Sequence, residues 1–132
     1  MKKCFLTIVS AVDGKENTFS YEAELKLSAS SAVLRYGEEG GETELCFEKG
    51  EARIERKGDY GLSLCLKEGK RTAGTLSVAG SDGKIEVQAA RVEYSIEKNS
   101  LLAFLKYSML FENEIQEMSL RIKASCEHSE EK

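Results

Sequence analysis

The chain has 132 residues, 41% of them apolar and 32% charged, which suits one globular domain with a single core and is too short for two cores with a cleft between them. Its net charge is −4, with nets of −4, +3 and −3 over residues 1–48, 49–71 and 72–132, so it lacks the strongly basic face that nucleic-acid binding requires. No run approaches the ~18 apolar residues of a membrane-spanning helix, and the expectation is a soluble, cytoplasmic chain with neither nucleic acid nor membrane as a partner.

The first segment, Met1-Lys2-Lys3 followed by Cys4 to Ala11, imitates a secretory signal with Val9-Ser10-Ala11 as the cleavage site. It falls short of the usual ~15–30 residues, Thr7 and Ser10 interrupt it, and it alternates like a strand, so it is assigned to the fold. After the Asp13-Gly14 turn, Phe19, Tyr21, Ala23, Leu25 and Leu27 alternate with Ser20, Glu22, Glu24 and Lys26, giving one apolar and one hydrated face. That is the pattern of a half-buried strand. The same grammar recurs in Thr43-x-Leu45-x-Phe47, Ala52-x-Ile54, Leu62-x-Leu64-x-Leu66, Ile85-x-Val87-x-Ala89, Val92-x-Tyr94-x-Ile96 and Met118 to Ala124.

Turn residues separate these runs: Gly40-Gly41, Gly50, Gly58-Asp59, Gly69, Asp82-Gly83, Asn99 and Asn113. Glycine, Asn and Asp accept the positive φ of tight hairpins. The absence of proline fits, because proline would delete a ladder hydrogen bond from any strand it entered. Between Ala89 and Val92 the apolar phase moves from odd to even positions, as a β-bulge near Ala90-Arg91 would produce. Leu101 to Phe111 is apolar at nearly every position except Lys106. A strand covered on both sides, by an oligomer contact or by the end of the chain, is the preferred reading there, with a helix as the alternative.

Consecutive antiparallel strands with one apolar face must close or stack, and closure removes the exposed edges that template aggregation. The fold class is therefore all-β, a single antiparallel barrel of about 8–10 strands by the hairpin count. It occupies residues 1–125, with 126–132 as a flexible C-terminal tail that has nothing to bury.

Cys4, Cys46, Cys65 and Cys126 show no C-x-x-C spacing, and free thiols are the expected state. The sole histidine, His128, lies in the tail, so no metal site and no catalytic set built on histidine can be assembled. The nucleotide-binding glycine motifs are missing, and no cofactor is expected. Arg56 shares parity with Ala52 and Ile54, and Arg91 with Ile85, Val87 and Ala89, so straight strands would aim both guanidinium groups inward, where neither face offers an acid of matching parity. An unpaired buried arginine is costly. One reading is an anion held in the barrel by Arg56 and Arg91, with Tyr36, Tyr94 and Tyr107 as wall donors. In the other, Arg56 reaches water beside Gly58 and the bulge turns Arg91 outward.

With these strands laid out, the chain resembles the YwiB-like family of bacterial proteins. The likeness is carried by Ser10 and Asp13-Gly14, by Ala32 to Glu39 around Leu34, Tyr36 and Glu38, and by Arg56-x-Gly58 and Gly69. Gly83-Lys84-Ile85-Glu86-Val87, Leu105 to Met109 and Met118 to Ile122 continue it. The chain departs from the family pattern at Leu76, Ser77 and Ala89 and in a shorter loop around Lys98-Asn99-Ser100. The resemblance implies a calycin-like, lipocalin-type β-barrel and brings no activity with it. Two functions follow as expectations: a non-enzymatic barrel that binds a small apolar or anionic molecule, or a filled barrel that acts as a structural or regulatory interaction module, homodimeric through Leu101–Phe111 or through the positive region Lys49–Arg71.

Overall fold

The computed structural model describes residues 1–126. Ten strands follow one another: β1 (Lys2–Val12), β2 (Lys15–Leu27), β3 (Ser31–Glu38), β4 (Gly41–Glu48), β5 (Glu51–Gly58), β6 (Tyr60–Lys67), β7 (Arg71–Val78), β8 (Ser81–Ile96), β9 (Ser100–Phe111) and β10 (Glu114–Cys126). Each pairs antiparallel with the next, and β1 pairs with β10, so the sheet closes as an up-and-down barrel. Closure leaves no edge strand, the physical reason for which a barrel was expected. No helix among the described residues is long and apolar enough to cross a membrane. The expected loose tail, with His128, lies outside the described residues from 127 onward; Cys126, assigned to that tail by sequence, instead ends β10 as a buried residue.

The alternation read from sequence sets what faces inward. Leu6, Leu25, Leu34, Leu45, Phe47, Leu64, Leu66, Val87, Leu101 and Leu105 are all essentially inaccessible. The two ends of the barrel differ. At one end, where β2–β3, β4–β5, β6–β7 and β8–β9 turn, the interior is filled by Leu25, Ala32, Phe47, Leu66, Leu101 and Ala124. At the other, where β1–β2, β3–β4, β5–β6, β7–β8 and β9–β10 turn, Thr43, Arg56, Ile85 and Tyr107 are buried and Tyr21, Tyr36, Leu62, Leu76, Met109, Phe111 and Met118 are half-buried, as Leu27, Tyr94 and Ile96 are at the first end.

One expectation needs correction. The Asp82-Gly83 turn is displaced: the hairpin bends at Ala79-Gly80, both at positive φ (51° and 82°), and Asp82 and Gly83 lie inside β8. Leu101–Phe111 is the preferred strand and not the alternative helix; its odd residues point into the core, and among the described residues nothing covers Leu102 and Leu110 on the outer wall. Strand β7 had no signal of its own. Its inward positions are Thr72, Gly74 and Leu76, and a Cβ at Gly74 would stand 2.7 Å from both Leu64 Cδ2 and the Ser63 carbonyl. The neighbouring Leu64 fills the space that an apolar β7 side chain would have used.

The bulge is where the phase shift placed it, between Ala89 and Arg91 opposite β9. The β6–β7 turn folds over it. Gly69 N–H donates to Ala89 O (2.8 Å), Ala89 N–H to Lys70 O (3.2 Å), and Val92 N–H to Glu68 Oε1 (2.9 Å). These bonds satisfy backbone groups of β8 that lie beyond its last pair with β7, Arg71–Gln88.

Candidate functional site: the barrel mouth

At the half-buried end the barrel opens into a recess of about 630 Å³, within the range of small-molecule pockets. Leu62, Leu76, Ile85, Met109, Phe111 and Met118 form its apolar wall, Tyr60 and Tyr107 add phenols, and Asp13, Glu114 and Gln116 stand at its rim. The local sequence builds this space. Gly83 is paired with Leu76, and a Cβ on it would lie 2.9 Å from Phe111 Cε1, so the glycine lets the ring lie back against β8 and off the recess. Strand β2 adds a flare, since it pairs with β3 only through Ala23–Leu27. Along the parting segment Phe19 stacks on Tyr21 (centroids 6.2 Å) and Tyr21 on Tyr36 (5.0 Å).

Arg56 is buried beside this mouth, 6% exposed. Its Nη1 donates to Asp59 Oδ1 (2.8 Å) and to the Tyr60 carbonyl (2.7 Å), and Nη2 donates to the Glu39 carbonyl (3.3 Å). The guanidinium lies 3.8 Å from the centroid of the Tyr60 ring. Nε is enclosed and stands 3.3 Å from Glu38 Oε1 without hydrogen-bond geometry, and the same Glu38 oxygen accepts a hydrogen bond from Thr43 Oγ1. Burial pulls the arginine's pKa down, but the Asp59 hydrogen bond with the negative surroundings of Tyr60, Asp59 and Glu38 outweighs it, so the pKa is raised. In return the Arg56 hydrogen bond holds the Asp59 carboxyl below its ordinary range. Glycines make the room: a Cβ on Gly41 would lie 3.0 Å from the guanidinium carbon, and one on Gly58 would collide with Gly40 and Gly41. Arg56-x-Gly58, read from sequence as a family feature, is thus one packing unit.

Of the five residues expected to form a site, the structure brings Arg56, Tyr36 and Tyr107 to the mouth end and separates the other two. Tyr107 is buried in the wall, and desolvation keeps its phenol protonated by raising its pKa. Tyr36 is raised in the same way, by burial and then by Glu38, while Tyr21 is raised by burial and the nearby Glu38 charge. Tyr94 belongs to the closed end, where its ring packs on Phe47 (5.4 Å) and its hydroxyl accepts the Gly50 N–H (2.9 Å). Arg91 is on the outer wall, about half exposed, with Nε 2.8 Å from Glu93 Oε2. The bulge turned it out.

Strand parity, applied to Arg56's own strand, missed its acids because Glu38 comes from the inward face of β3, two strands away, and Asp59 from the turn that follows β5. It also missed Tyr60, Phe111 and Gly83. Gly58-Asp59 reads as a turn in the sequence, and only the structure shows that the ring of Tyr60, the next residue, covers the arginine. A second, larger depression of about 910 Å³ lies outside the barrel, between Val9, Arg91, Leu102, Phe104, Arg121 and Lys123. It is open to solvent along the wall.

The family model for the domain of unknown function DUF1934 matches residues 6–122. No curated protein matches the chain at a significant level. Among solved structures, the crystal structure of ywiB protein from Bacillus subtilis superposes with a TM-score of 0.82 at 14% sequence identity, covering 96% of this chain and 93% of that one. At that identity the likeness is one of fold, and it reproduces the barrel. With nearly the whole barrel inside the matched span, the chain belongs to the DUF1934 family, a domain of unknown function with a YwiB-like barrel fold.

Proposed function

We propose that the protein binds a small apolar or amphipathic molecule in the barrel mouth, as a carrier or sensor and not as a catalyst. The observation that carries this reading is the 630 Å³ recess at one end of the barrel, walled by half-buried apolar side chains, where the interior of the other end is filled by Leu25, Phe47, Leu66 and Leu101. Exposed apolar wall has a hydration cost of about 25 cal/mol per Å², which a ligand of matching shape relieves. The calycin-like resemblance points the same way, because barrels of this size can hold one small ligand. The anionic alternative gains nothing from Arg56, whose charge is already met by Asp59 and Glu38. Free thiols at Cys4, Cys46, Cys65 and Cys126 accord with a reducing cytoplasm as the place of action.

The second reading is self-association through the outer wall, where Phe5 and Leu102 are about half exposed and Phe104 and Val9 lie on the same face. A native mass spectrum of protein purified from its own cells distinguishes the two. Stoichiometric added mass on a monomer is the result expected of mouth binding; a bare dimer would favour the outer wall and a bare monomer would count against both.

A further inference from the structure

Resting on the mouth-binding reading, we propose that the mouth selects molecules joining an apolar body to a positively charged head, an amine or quaternary ammonium, over carboxylates of the same shape. The barrel is electrically polarised along its axis. Each turn at the mouth end carries a carboxylate in it or beside it: Asp13, Glu39, Asp59, Asp82 and Glu112. Over residues 12–16, 38–42, 56–60, 78–82 and 111–117 there are ten carboxylates and three cations, and one of those cations, Arg56, is already paired. The turns at the closed end, residues 27–31, 48–51, 67–71 and 96–100, hold four carboxylates and five cations. The total of −4 is therefore the sum of a strongly negative mouth and a remainder of opposite sign. A concave, low-dielectric mouth ringed by one sign of charge concentrates counter-ions at its opening.

The aromatic residues are sorted in the same direction. Four of the five tyrosines, Tyr21, Tyr36, Tyr60 and Tyr107, lie towards the mouth with Phe19 and Phe111. Ring faces attract cations and repel anions through their quadrupole, and rings beside carboxylates suit a quaternary ammonium in particular. The molecule already holds one cation in this manner: the Arg56 guanidinium lies over the Tyr60 ring between Asp59 and Glu38. A ligand head near Glu114 and Asp13, with Glu112 in the adjoining β9–β10 turn, would meet carboxylates beside the Phe111 ring on the facing side of the rim, with its chain running down onto Leu76, Met109 and Met118.

Three probes sharing one tail test this: decyltrimethylammonium, decanol and decanoate, each below its micellar concentration, titrated calorimetrically into the full chain. The expected order is ammonium tightest, then alcohol, then carboxylate, with at least about a tenfold ratio between the charged pair at low salt, shrinking towards one as the Debye length falls from about 30 Å at 0.01 M to about 3 Å at 1 M. A double Glu112→Gln, Glu114→Gln variant should reduce that ratio severalfold, and Glu22→Gln, Glu24→Gln on the outer wall should leave it unchanged. If all three probes bind alike, or decanoate binds best, charge selection is overturned and mouth binding stands. If the outer-wall pair lowers the ratio as much as the rim pair, the preference belongs to the surface at large and the proposal falls. If none binds, the mouth-binding reading itself fails.

Discussion

The Arg56 guanidinium stacks 3.8 Å from the ring centroid of Tyr60 while its Nη1 reaches Asp59 Oδ1 at 2.8 Å. One buried cation thereby ties β5 to the turn that follows it and, through Glu38 and the Glu39 carbonyl, to the β3–β4 turn. The rim of the mouth is shaped by this tie. Replacing Arg56 by Met should lower stability by about 2–3 kcal/mol, since several hydrogen bonds to a charged group are lost at once. Urea unfolding measures it, and a change within the ~0.5 kcal/mol of an ordinary surface substitution would contradict the assigned role.

The same pair sets an acid limb. Asp59 has its carboxyl pKa depressed by Arg56 below the ordinary 3.8. A depressed folded-state pKa stabilises the protein above the unfolded value, and that contribution is lost as pH falls through the folded value. The difference in Tm between the wild type and Asp59→Asn should therefore be constant from neutral pH to about 5, then shrink as pH drops below 3.8. A difference that grows on acidification would show the sign to be wrong.

Cys4 and Cys126 face each other in register across the β1–β10 seam, both buried. Burial, with Cys126 beside it, pushes the Cys4 thiol up to about 11. Since the thiolate is the reactive form, alkylation of Cys4 by iodoacetamide at pH 8 should be about a hundredfold slower than that of a free thiol, before any added steric protection. Peptide mass mapping over time checks this, with Cys65 on the outer wall as an internal comparison; equal rates at the two positions would be incompatible with a closed seam.

Glu68 accepts the Val92 amide, which lies just after the bulge and beyond the last β7–β8 pair, Arg71–Gln88. Substituting Ala should destabilise the protein by about 1 kcal/mol and speed hydrogen exchange at Val92 more than at Tyr94. Unchanged exchange at Val92 would mean that the turn does not hold the bulge.

Gly83 and Phe111 govern the width of the mouth. Gly83→Val should drive the ring into the recess and weaken binding of a neutral apolar probe such as decanol about tenfold or more, as filling a pocket removes the apolar area available to a ligand. Circular dichroism should remain that of a β protein. If affinity is retained in a folded variant, the recess lined by Phe111 is not where the probe sits.

Much of this barrel was legible in the sequence because one-sided burial imprints a period of two, as in Leu62-Leu64-Leu66 and Met118 to Ala124. The Ala89–Arg91 bulge was legible for the same reason, as a slip of phase. What escaped was structure carried by backbone or by turns. In β7 the glycine at position 74 gives up its side-chain space to Leu64, erasing the alternation. At Leu101–Phe111 both faces are apolar in sequence, so parity could not say that one of them, with Leu102 and Leu110, meets solvent. The candidate site was half legible. Arg56 announced itself as a charge on an apolar face, but its acids lie off its own strand: Glu38 continues the inward face of β3, and Asp59 stands in a turn, which has no parity to read. Arg91 and Tyr94 were grouped with it by face alone, and axial position, which the register fixes, sends Tyr94 to the closed end.

Methyl NMR of the full chain during titration with decanol tests the central claim most directly. Saturable shifts at one equivalent, confined to Leu62, Leu76, Ile85, Met109 and Met118 and leaving Leu25, Leu66 and Leu101 unmoved, are the predicted result. Shifts centred on Val9 and Leu102 of the outer wall, or none at all, would contradict it.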